Sequence, residues 1–287
     1  MAIRNPVEWA AGMSKQTGQP VRRTTCALHP TRQPIATGRP EIRRIQAADL
    51  LEILGKGFRD FAEKRSDVIF LCLFYPAFGL FFARLASGSD MLPLIFPLAS
   101  GFALLGPLAG VGLYEMSRQR EQGLKGGWTA AFSVIRSPSI GSIILLGLLI
   151  VMIFILWLSA AWAIYLMTLG PRPPPSIGPF INDVLTTPAG WTMAGLGIGV
   201  GFIFAVLVLT ISAVSFPMLL DRNVGVSHAV GTSVRAVIAN PGPMALWGLI
   251  IAGGLVLGSI PLFLGLVIVL PVLGHSTWHL YRKMVSP

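Results

Sequence analysis

Two histidines near the end of the sequence have a spacing that could do chemistry. His275 and His279 are four residues apart, so on a helix they share one face and could ligate one metal ion or two hemes. A zinc site would need a third or fourth ligand, for which the candidates are Asp221, Glu115 and His228. We favour a simpler interpretation, in which the histidines belong to an aromatic and basic belt at a membrane interface. No cofactor is therefore expected.

Other patterns typical of catalysis are not evident in the sequence. It shows no Ser/His/Asp set, no paired carboxylates and no H-E-x-x-H motif. We therefore expect a protein that is not an enzyme.

A glycine-rich run, Gly195-Leu-Gly197-Ile-Gly199-Val-Gly201, superficially has the spacing of a phosphate-binding loop. Such a loop needs a preceding strand and a watery mouth, whereas this run lies in a long apolar segment. Glycines four residues apart instead let two membrane helices approach closely. The glycines expected to pack helices in this way are Gly106, Gly110, Gly195, Gly197, Gly199, Gly201, Gly254 and Gly258.

The composition indicates which class of protein must position these residues. The chain has 287 residues, of which 53% are hydrophobic and only 12% are charged, and its mean hydropathy is +0.70. Soluble proteins carry roughly twice that share of charged side chains. Two cysteines cannot build a disulfide framework. The chain is therefore predicted to be an all-α protein, a polytopic membrane helix bundle.

Apolar runs long enough to cross a bilayer predict six transmembrane helices. A bilayer core of about 30 Å needs about 20 helical residues. The last apolar region, Met244 to Leu280, would be about 55 Å long as one helix and is therefore divided into two spans. The predicted spans are 68–85, 91–114, 142–167, 191–220, 244–259 and 261–280.

The distribution of basic residues predicts the orientation of these spans. With six spans, all of the 22 Lys and Arg residues except Arg84 and Arg172 fall on one side, which should be the cytoplasmic side. Both termini are then expected to be cytoplasmic. The net charge of +10 thus records orientation, and no nucleic-acid partner is expected. Residues 1–40 are predicted to be a disordered basic cytoplasmic tail, and 41–287 the membrane domain.

Three cytoplasmic segments carry a helical apolar pattern directly before a span. Such stripes predict amphipathic helices in the membrane interface. Together with the spans they allow a threefold internal repeat, at roughly 45–114, 115–220 and 223–281, although any loop before a span tends to be amphipathic. The apolar positions are Leu50, Leu54, Phe58 and Phe61, then Leu124, Trp128, Ala131, Phe132 and Ile135, then Val226, Val230, Val234 and Val237.

The ends of the fourth and sixth predicted spans bring polar and aromatic side chains to one side of the membrane. They are expected to form a polar cluster at the cytoplasmic face. Its members are Asp221, Arg222, His275, Trp278, His279, Tyr281 and Arg282.

Several motifs also carry a family resemblance. They are Arg43-Arg44-Ile45 with Asp49-Leu50, Gly57-Phe58-Arg59-Asp60-Phe61, Ser215-Phe216-Pro217-Met-Leu-Leu-Asp221-Arg222, Ser233-Val234-Arg235 with Asn240-Pro241, and Pro271-Val-Leu-Gly274-His275-Ser-Thr-Trp278-His279-Leu-Tyr281-Arg282. Over about residues 41–285 the chain resembles an uncharacterised family of proteobacterial polytopic membrane proteins, a domain of unknown function. Phe58 stands where family members look to have Trp. The resemblance implies a polytopic inner-membrane protein and no particular activity.

Three functional hypotheses remain open from the sequence. The favoured one is a non-enzymatic accessory, assembly or stabilising component of a larger membrane complex, with a respiratory complex as one candidate. Its expected partners are membrane lipid and other membrane-protein subunits. The first alternative is a permease or lipid-handling protein, which requires a cavity between the proline-bent spans. The second is a heme- or metal-binding protein that uses His275 and His279.

Overall fold

The computed structural model describes residues 40–63, 89–124, 128–172, 174–261 and 263–286, and the chain within them is built from helices. The described residues belong to one compact unit, Ile35–Pro287. The α-helices are α1 (Ala47–Glu63), α2 (Ile95–Phe102), α3 (Gly106–Ala109), α4 (Val111–Glu121), α5 (Trp128–Ser133), α6 (Ile140–Thr168), α7 (Ile177–Thr186), α8 (Pro188–Ser212), α9 (Ser215–Asp221), α10 (Val226–Ala239), α11 (Pro241–Ser259) and α12 (Leu266–Met284).

Four helical stretches in the described part of the chain are long and apolar enough to cross a membrane. They are Leu92–Glu121, Ile140–Thr168, Pro188–Asp221 and Pro241–Ser259. They coincide with the second to the fifth predicted spans, so the prediction of several membrane-spanning helices is confirmed. The first predicted span, 68–85, lies outside the described residues.

The sixth predicted span, 261–280, falls on α12, which is not among those four stretches. The helix begins at Leu266, after the predicted break, and continues to Met284. Its first half is apolar, whereas its second half carries two histidines, an arginine and a lysine. These polar residues lower the mean hydropathy of the helix. The sixth span therefore stays a prediction. The threefold repeat also stays a prediction.

Proline explains why the first candidate span is irregular. Pro93 lies in a 3-10 turn, Ser89–Leu94, and Pro107 lies in the first turn of the four-residue helix α3. Because proline lacks an N–H group and clashes with the preceding turn, each one interrupts the helical hydrogen-bond ladder. By contrast α6, which contains no proline, is continuous over 29 residues.

The packed core is concentrated around α12. This helix packs along α1 and also contacts α4, α9 and α11. The closest approach is at Gly57 of α1, where an added Cβ atom would lie 2.7 Å from the backbone nitrogen of Ser276. The largest fully buried side chains include Trp247, Trp278, Tyr281, Phe216, Leu50 and Ile53.

The buried face of α1 differs from the predicted stripe. Leu50 and Phe61 are buried against the protein, whereas Phe58 is 55% exposed and the neighbouring Asp60 is buried. The face is rotated because the glycine at position 57 lies against α12, which turns Phe58 outward. The sequence predicted the stripe for a helix in the membrane interface, so the exposure of Phe58 leaves that prediction untested.

The side chain of Asn240 makes two hydrogen bonds to the segment before α1. Its Oδ1 accepts a hydrogen bond from the backbone N–H of Ile45 at 2.8 Å, and its Nδ2 donates to the carbonyl of Arg43 at 3.2 Å. The same segment forms an isolated β-bridge between Ile42 and Val285. The two ends of the described chain are thereby joined beside the bundle.

Candidate functional site

A buried carboxylate, Asp60, lies where α1, α4 and α12 meet. Ser117 donates a hydrogen bond to its Oδ2 at 2.6 Å, and Nε2 of His279 lies 2.9 Å from the same oxygen. The guanidinium of Arg120 binds the other oxygen, Oδ1, and also Glu63. One carboxylate therefore links three helices.

The hydrogen bonds continue from Ser117 to His275, whose Nδ1 lies 2.7 Å from the serine Oγ. An ionised carboxylate only accepts hydrogen bonds, so the Ser117 hydroxyl is committed to Asp60. His275 must then carry its proton on Nδ1 and donate to Ser117. The result is a chain of hydrogen bonds running from His275 through Ser117 and Asp60 to His279.

The pKa of Asp60 agrees with an ionised carboxylate at neutral pH. Burial raises the pKa of this carboxyl group. The hydrogen bonds from His279 and Ser117 together lower it by more than burial raises it, so the pKa of Asp60 lies below its usual range. The positive charge of Arg120 faces the same carboxylate. Asp60 is therefore an anion that is stabilised by hydrogen bonds from Ser117 and His279 and by the charge of Arg120.

The fold thus assembles a serine, a histidine and an aspartate that the sequence did not reveal as a set. Their order differs from that of a hydrolase triad, in which the histidine lies between the carboxylate and the serine. Here Ser117 lies between Asp60 and His275, and it is 1% exposed. The Ser117 hydroxyl thus connects α1 and α12 through its hydrogen bonds to Asp60 and His275.

Of the predicted polar cluster, His275 and His279 belong to this network, and the other members lie beside it, on the second half of α12 and at the end of α9. Tyr281 donates to Oδ2 of Asp221 at 2.6 Å, and Trp278 donates to Oε2 of Glu121 at 3.0 Å. Arg282 also binds Glu121, at 3.0 Å, while Arg222 lies 3.6 Å from Asp221. The contacts made by α12 bring together residues that are about 60 to 160 positions apart, whereas Arg222 and Asp221 are neighbours in sequence. Glu121 completes the cluster and was not expected from the sequence.

The residues proposed as metal ligands do not converge on one point. His275 faces Ser117 and His279 faces Asp60, while Glu115 binds Arg118. In the part of the chain that the structure describes, no group of three or more His, Cys, Asp or Glu side chains could hold a metal ion.

The predicted packing glycines fall into two groups. Gly110, Gly201, Gly254 and Gly258 lie against neighbouring side chains or backbone, with Gly258 approaching Gly265 at the turn between α11 and α12. An atom added at Gly106, Gly195, Gly197 or Gly199 would meet nothing within 4 Å. Three of these open glycines follow one another along α8.

Two open hollows mark the described surface. An apolar groove of about 370 Å³ lies between α6 and the segment formed by α3 and the start of α4, and it is lined by residues such as Leu108, Val111 and Ile143. A polar hollow of about 320 Å³ lies on α10 and is lined by Ser227, His228, Gly231 and Arg235.

Comparison with known proteins bears on the middle of the chain, from the start of α2 to the end of α9. That stretch matches a family described as "Predicted integral membrane protein (DUF2189)". The DUF2189 family model covers residues 95–221. No curated protein and no solved structure matches the chain.

The DUF2189 match confirms the resemblance drawn from the sequence, with narrower bounds. The motif that begins at Ser215 lies within the matched residues up to Asp221, whereas the motifs in α1 and α12 lie outside them. Three of the four candidate spans lie largely or wholly inside the DUF2189 segment. The composition of the chain and the match over residues 95–221 therefore both indicate an integral membrane protein.

Proposed function

We propose that the protein is a non-enzymatic accessory component of a larger membrane complex, and that it binds another membrane-protein subunit through α8. The observation that carries this proposal is the open glycine row on α8, which consists of Gly195 and Gly199: an atom added at either would meet nothing within 4 Å. Apolar side chains gain nothing by leaving lipid for a protein neighbour of equal polarity, so membrane helices associate where small residues let their backbones come close.

The open row has the shape of a groove. Gly195 and Gly199 share one helix face, and Phe202 and Ile203 follow on that face, 68% and 65% exposed. A glycine in a helix costs about 1 kcal/mol relative to alanine. A span that faced only lipid would gain stability from larger residues at these positions.

The opposite side of α8 is held firmly by the bundle. A Cβ atom added at Gly201 would lie 3.0 Å from the ring of Trp157, and the centroids of the Trp157 and Phe204 rings are 5.8 Å apart. At the other end, Gly190 lies directly on the backbone of Val184 in α7. The groove is therefore presented on a fixed helix.

We further propose six spans, with both termini on the cytoplasmic side of a bacterial inner membrane. The end of α12 contacts Glu121 and Asp221, which are the ends of two candidate spans. Since α12 starts from the opposite end of α11, these contacts support a crossing by α12. Asp60 likewise binds Ser117 near the end of the Leu92–Glu121 stretch. Glu63 and Leu92 are then at opposite ends of the bundle, which the proposed span 68–85 would join.

The partner can be identified by purifying the full chain from its own membranes in mild detergent and analysing it by mass spectrometry. We expect a defined membrane protein to co-purify, and the double variant Gly195→Leu with Gly199→Leu to retain about tenfold less of it, because the added side chains fill the groove. Gly253→Leu is the matched control, since Gly253 is also an open, exposed glycine on a candidate span.

Two results would contradict the proposal. One is a protein that purifies alone, or a double variant that retains its partner in full. The other comes from a photocrosslinker placed at position 199: if it reacts only within the same chain, for instance with residues 68–85, the groove is filled from within. Thermal unfolding of each variant shows whether the fold itself has changed.

A further inference from the structure

The polar hollow on α10 lies at the boundary of the membrane. The helix Val226–Ala239 connects the end of the candidate span Pro188–Asp221 to the start of the candidate span Pro241–Ser259. One span leaves the bilayer and the next enters it at the two ends of α10. The helix is about 21 Å long and therefore follows the interface between them.

The residues that line the hollow share one face of α10. Ser227, Gly231 and Arg235 are spaced four residues apart, and His228 lies next to the first of them. An atom added at Gly231 would meet nothing within 4 Å, so the glycine leaves the space between the serine and the arginine open.

The hollow contains polar groups whose hydrogen-bonding capacity is not used. Arg235 donates only within its own helix, from Nε to the carbonyl of Gly231 at 3.3 Å and from Nη2 to Thr232 at 3.1 Å. Other basic side chains form ion pairs, but Arg235 forms none with any residue that the structure describes. The Nε2 atom of His228 is buried and has no hydrogen-bond partner among the same residues.

An apolar side chain continues the same face toward the next span. Ile238 lies one turn beyond Arg235 and is 70% exposed. A cation beside an exposed aliphatic group at a membrane boundary offers one side chain to the phosphate of a phospholipid and the other to its acyl chains. The planar guanidinium group is suited to binding two phosphate oxygens at once.

We propose that this hollow binds the phosphate headgroup of an anionic phospholipid. Arg235 pairs with the phosphate oxygens, Ser227 and His228 supply further polar contacts, and Ile238 contacts the acyl chain. A free phosphate ion would use the first three residues but would gain nothing from Ile238, which is why the proposal is for a lipid. It is independent of the groove on α8.

Native mass spectrometry of the full chain, released from detergent with graded amounts of lipid, tests the site. The probes are dioleoylphosphatidylglycerol, dioleoylphosphatidylcholine and inorganic phosphate. We expect the wild type to bind phosphatidylglycerol in preference to phosphatidylcholine, and Arg235→Gln to bind it about tenfold more weakly. Arg136→Gln is the matched control, because Arg136 is an exposed arginine in another short segment before a span.

Arg235→Lys separates charge from geometry: lysine keeps the charge but lacks the planar fork, so its affinity should fall between those of the wild type and Arg235→Gln. The proposal fails if Arg235→Gln binds phosphatidylglycerol as well as the wild type does, or if Arg136→Gln weakens binding equally. It also fails if inorganic phosphate displaces the lipid at equal concentration. Since Arg235 bonds only within α10, these variants should unfold at the wild-type temperature.

Discussion

At the scale of single residues, Asp60 is the buried carboxylate that Ser117, His279 and Arg120 all contact. It is 7% exposed and receives donors from two other helices. A buried charge that loses its partners is costly, whereas an exposed ion pair contributes little. Asp60 and Glu63 bind the same arginine, one buried and the other 59% exposed. They form a natural pair for comparison.

We predict that Asp60→Asn lowers the free energy of unfolding by about 2 kcal/mol, because Ser117, His279 and Arg120 lose an anionic acceptor. Glu63→Gln should change it by about 0.5 kcal/mol or less. Thermal or denaturant unfolding in detergent measures both. Equal effects of the two substitutions would show that burial of Asp60 does not matter.

The contribution of the Asp60 charge should also be visible in the pH dependence of stability. Folding lowers the pKa of Asp60 below its ordinary value of 3.8, so its contribution is complete above that pH and is lost as the pH falls through the folded pKa. Glu52, whose pKa is lowered to about 2 by hydrogen bonds from Lys283 and Lys56, acts in the same direction. Stability of the wild type should therefore fall more steeply below about pH 3.8 than that of Asp60→Asn. Parallel curves would contradict the assignment.

Sequence reasoning found half of this site. Asp221 and Tyr281 were expected to be near each other because both end a predicted span on the same side. Asp60 and Ser117 were missed because 57 residues separate them, and no local pattern joins a helix before one span to the end of another. A signal was present nonetheless: Asp60 continues the spacing of Leu50, Ile53 and Gly57, so a charge lies on the buried stripe.

At the scale of helices, the crossing of α1 and α12 depends on one glycine. An atom added at Gly57 would lie 2.7 Å from the nitrogen of Ser276 and 2.8 Å from the carbonyl oxygen of Val272. Neither backbone atom can move away independently of its helix. Gly55, one half-turn earlier, has nothing within 4 Å.

We predict opposite effects of the same substitution at these two glycines. Gly57→Ala should destabilise the protein by about 1 to 3 kcal/mol through overpacking, and hydrogen exchange in α1 should accelerate. Gly55→Ala should stabilise it by up to about 1 kcal/mol, since alanine favours the helix. If both substitutions stabilise the protein, the helices do not approach as closely as described.

Helices were easiest to predict where the chain is uniform. The span expected at 142–167 is found as Ile140–Thr168, because a long apolar run without proline has one low-energy conformation in a membrane. The span expected at 91–114 is instead divided by Pro93 and Pro107 into short pieces. Hydropathy locates such a segment but does not say where its hydrogen bonds are interrupted.

At the scale of the whole molecule, the number of crossings decides on which side each loop lies. Arg172 follows the candidate span Ile140–Thr168, and Ser286 follows α12. If α12 crosses the membrane, these two residues are on opposite sides. If it does not cross, they are on the same side.

We predict that a cysteine at position 172 reacts with a membrane-impermeant maleimide on intact spheroplasts, whereas a cysteine at position 286 reacts only after the membrane is permeabilised. Cys26 and Cys72 are replaced by serine beforehand. Labelling of both positions from the outside would mean that α12 does not cross.

The contact between α1 and α12 also imposes an order on biogenesis. In the described chain α1 comes before every other helix and α12 after them, yet each packs mainly on the other, and the bridge between Ile42 and Val285 joins their flanking segments. During synthesis α1 therefore leaves the ribosome long before its packing surface exists. Until α12 is synthesised, the face of α1 that includes Asp60 lacks this packing surface and stays exposed to its surroundings. Docking of α1 on this surface thus follows the synthesis of α12.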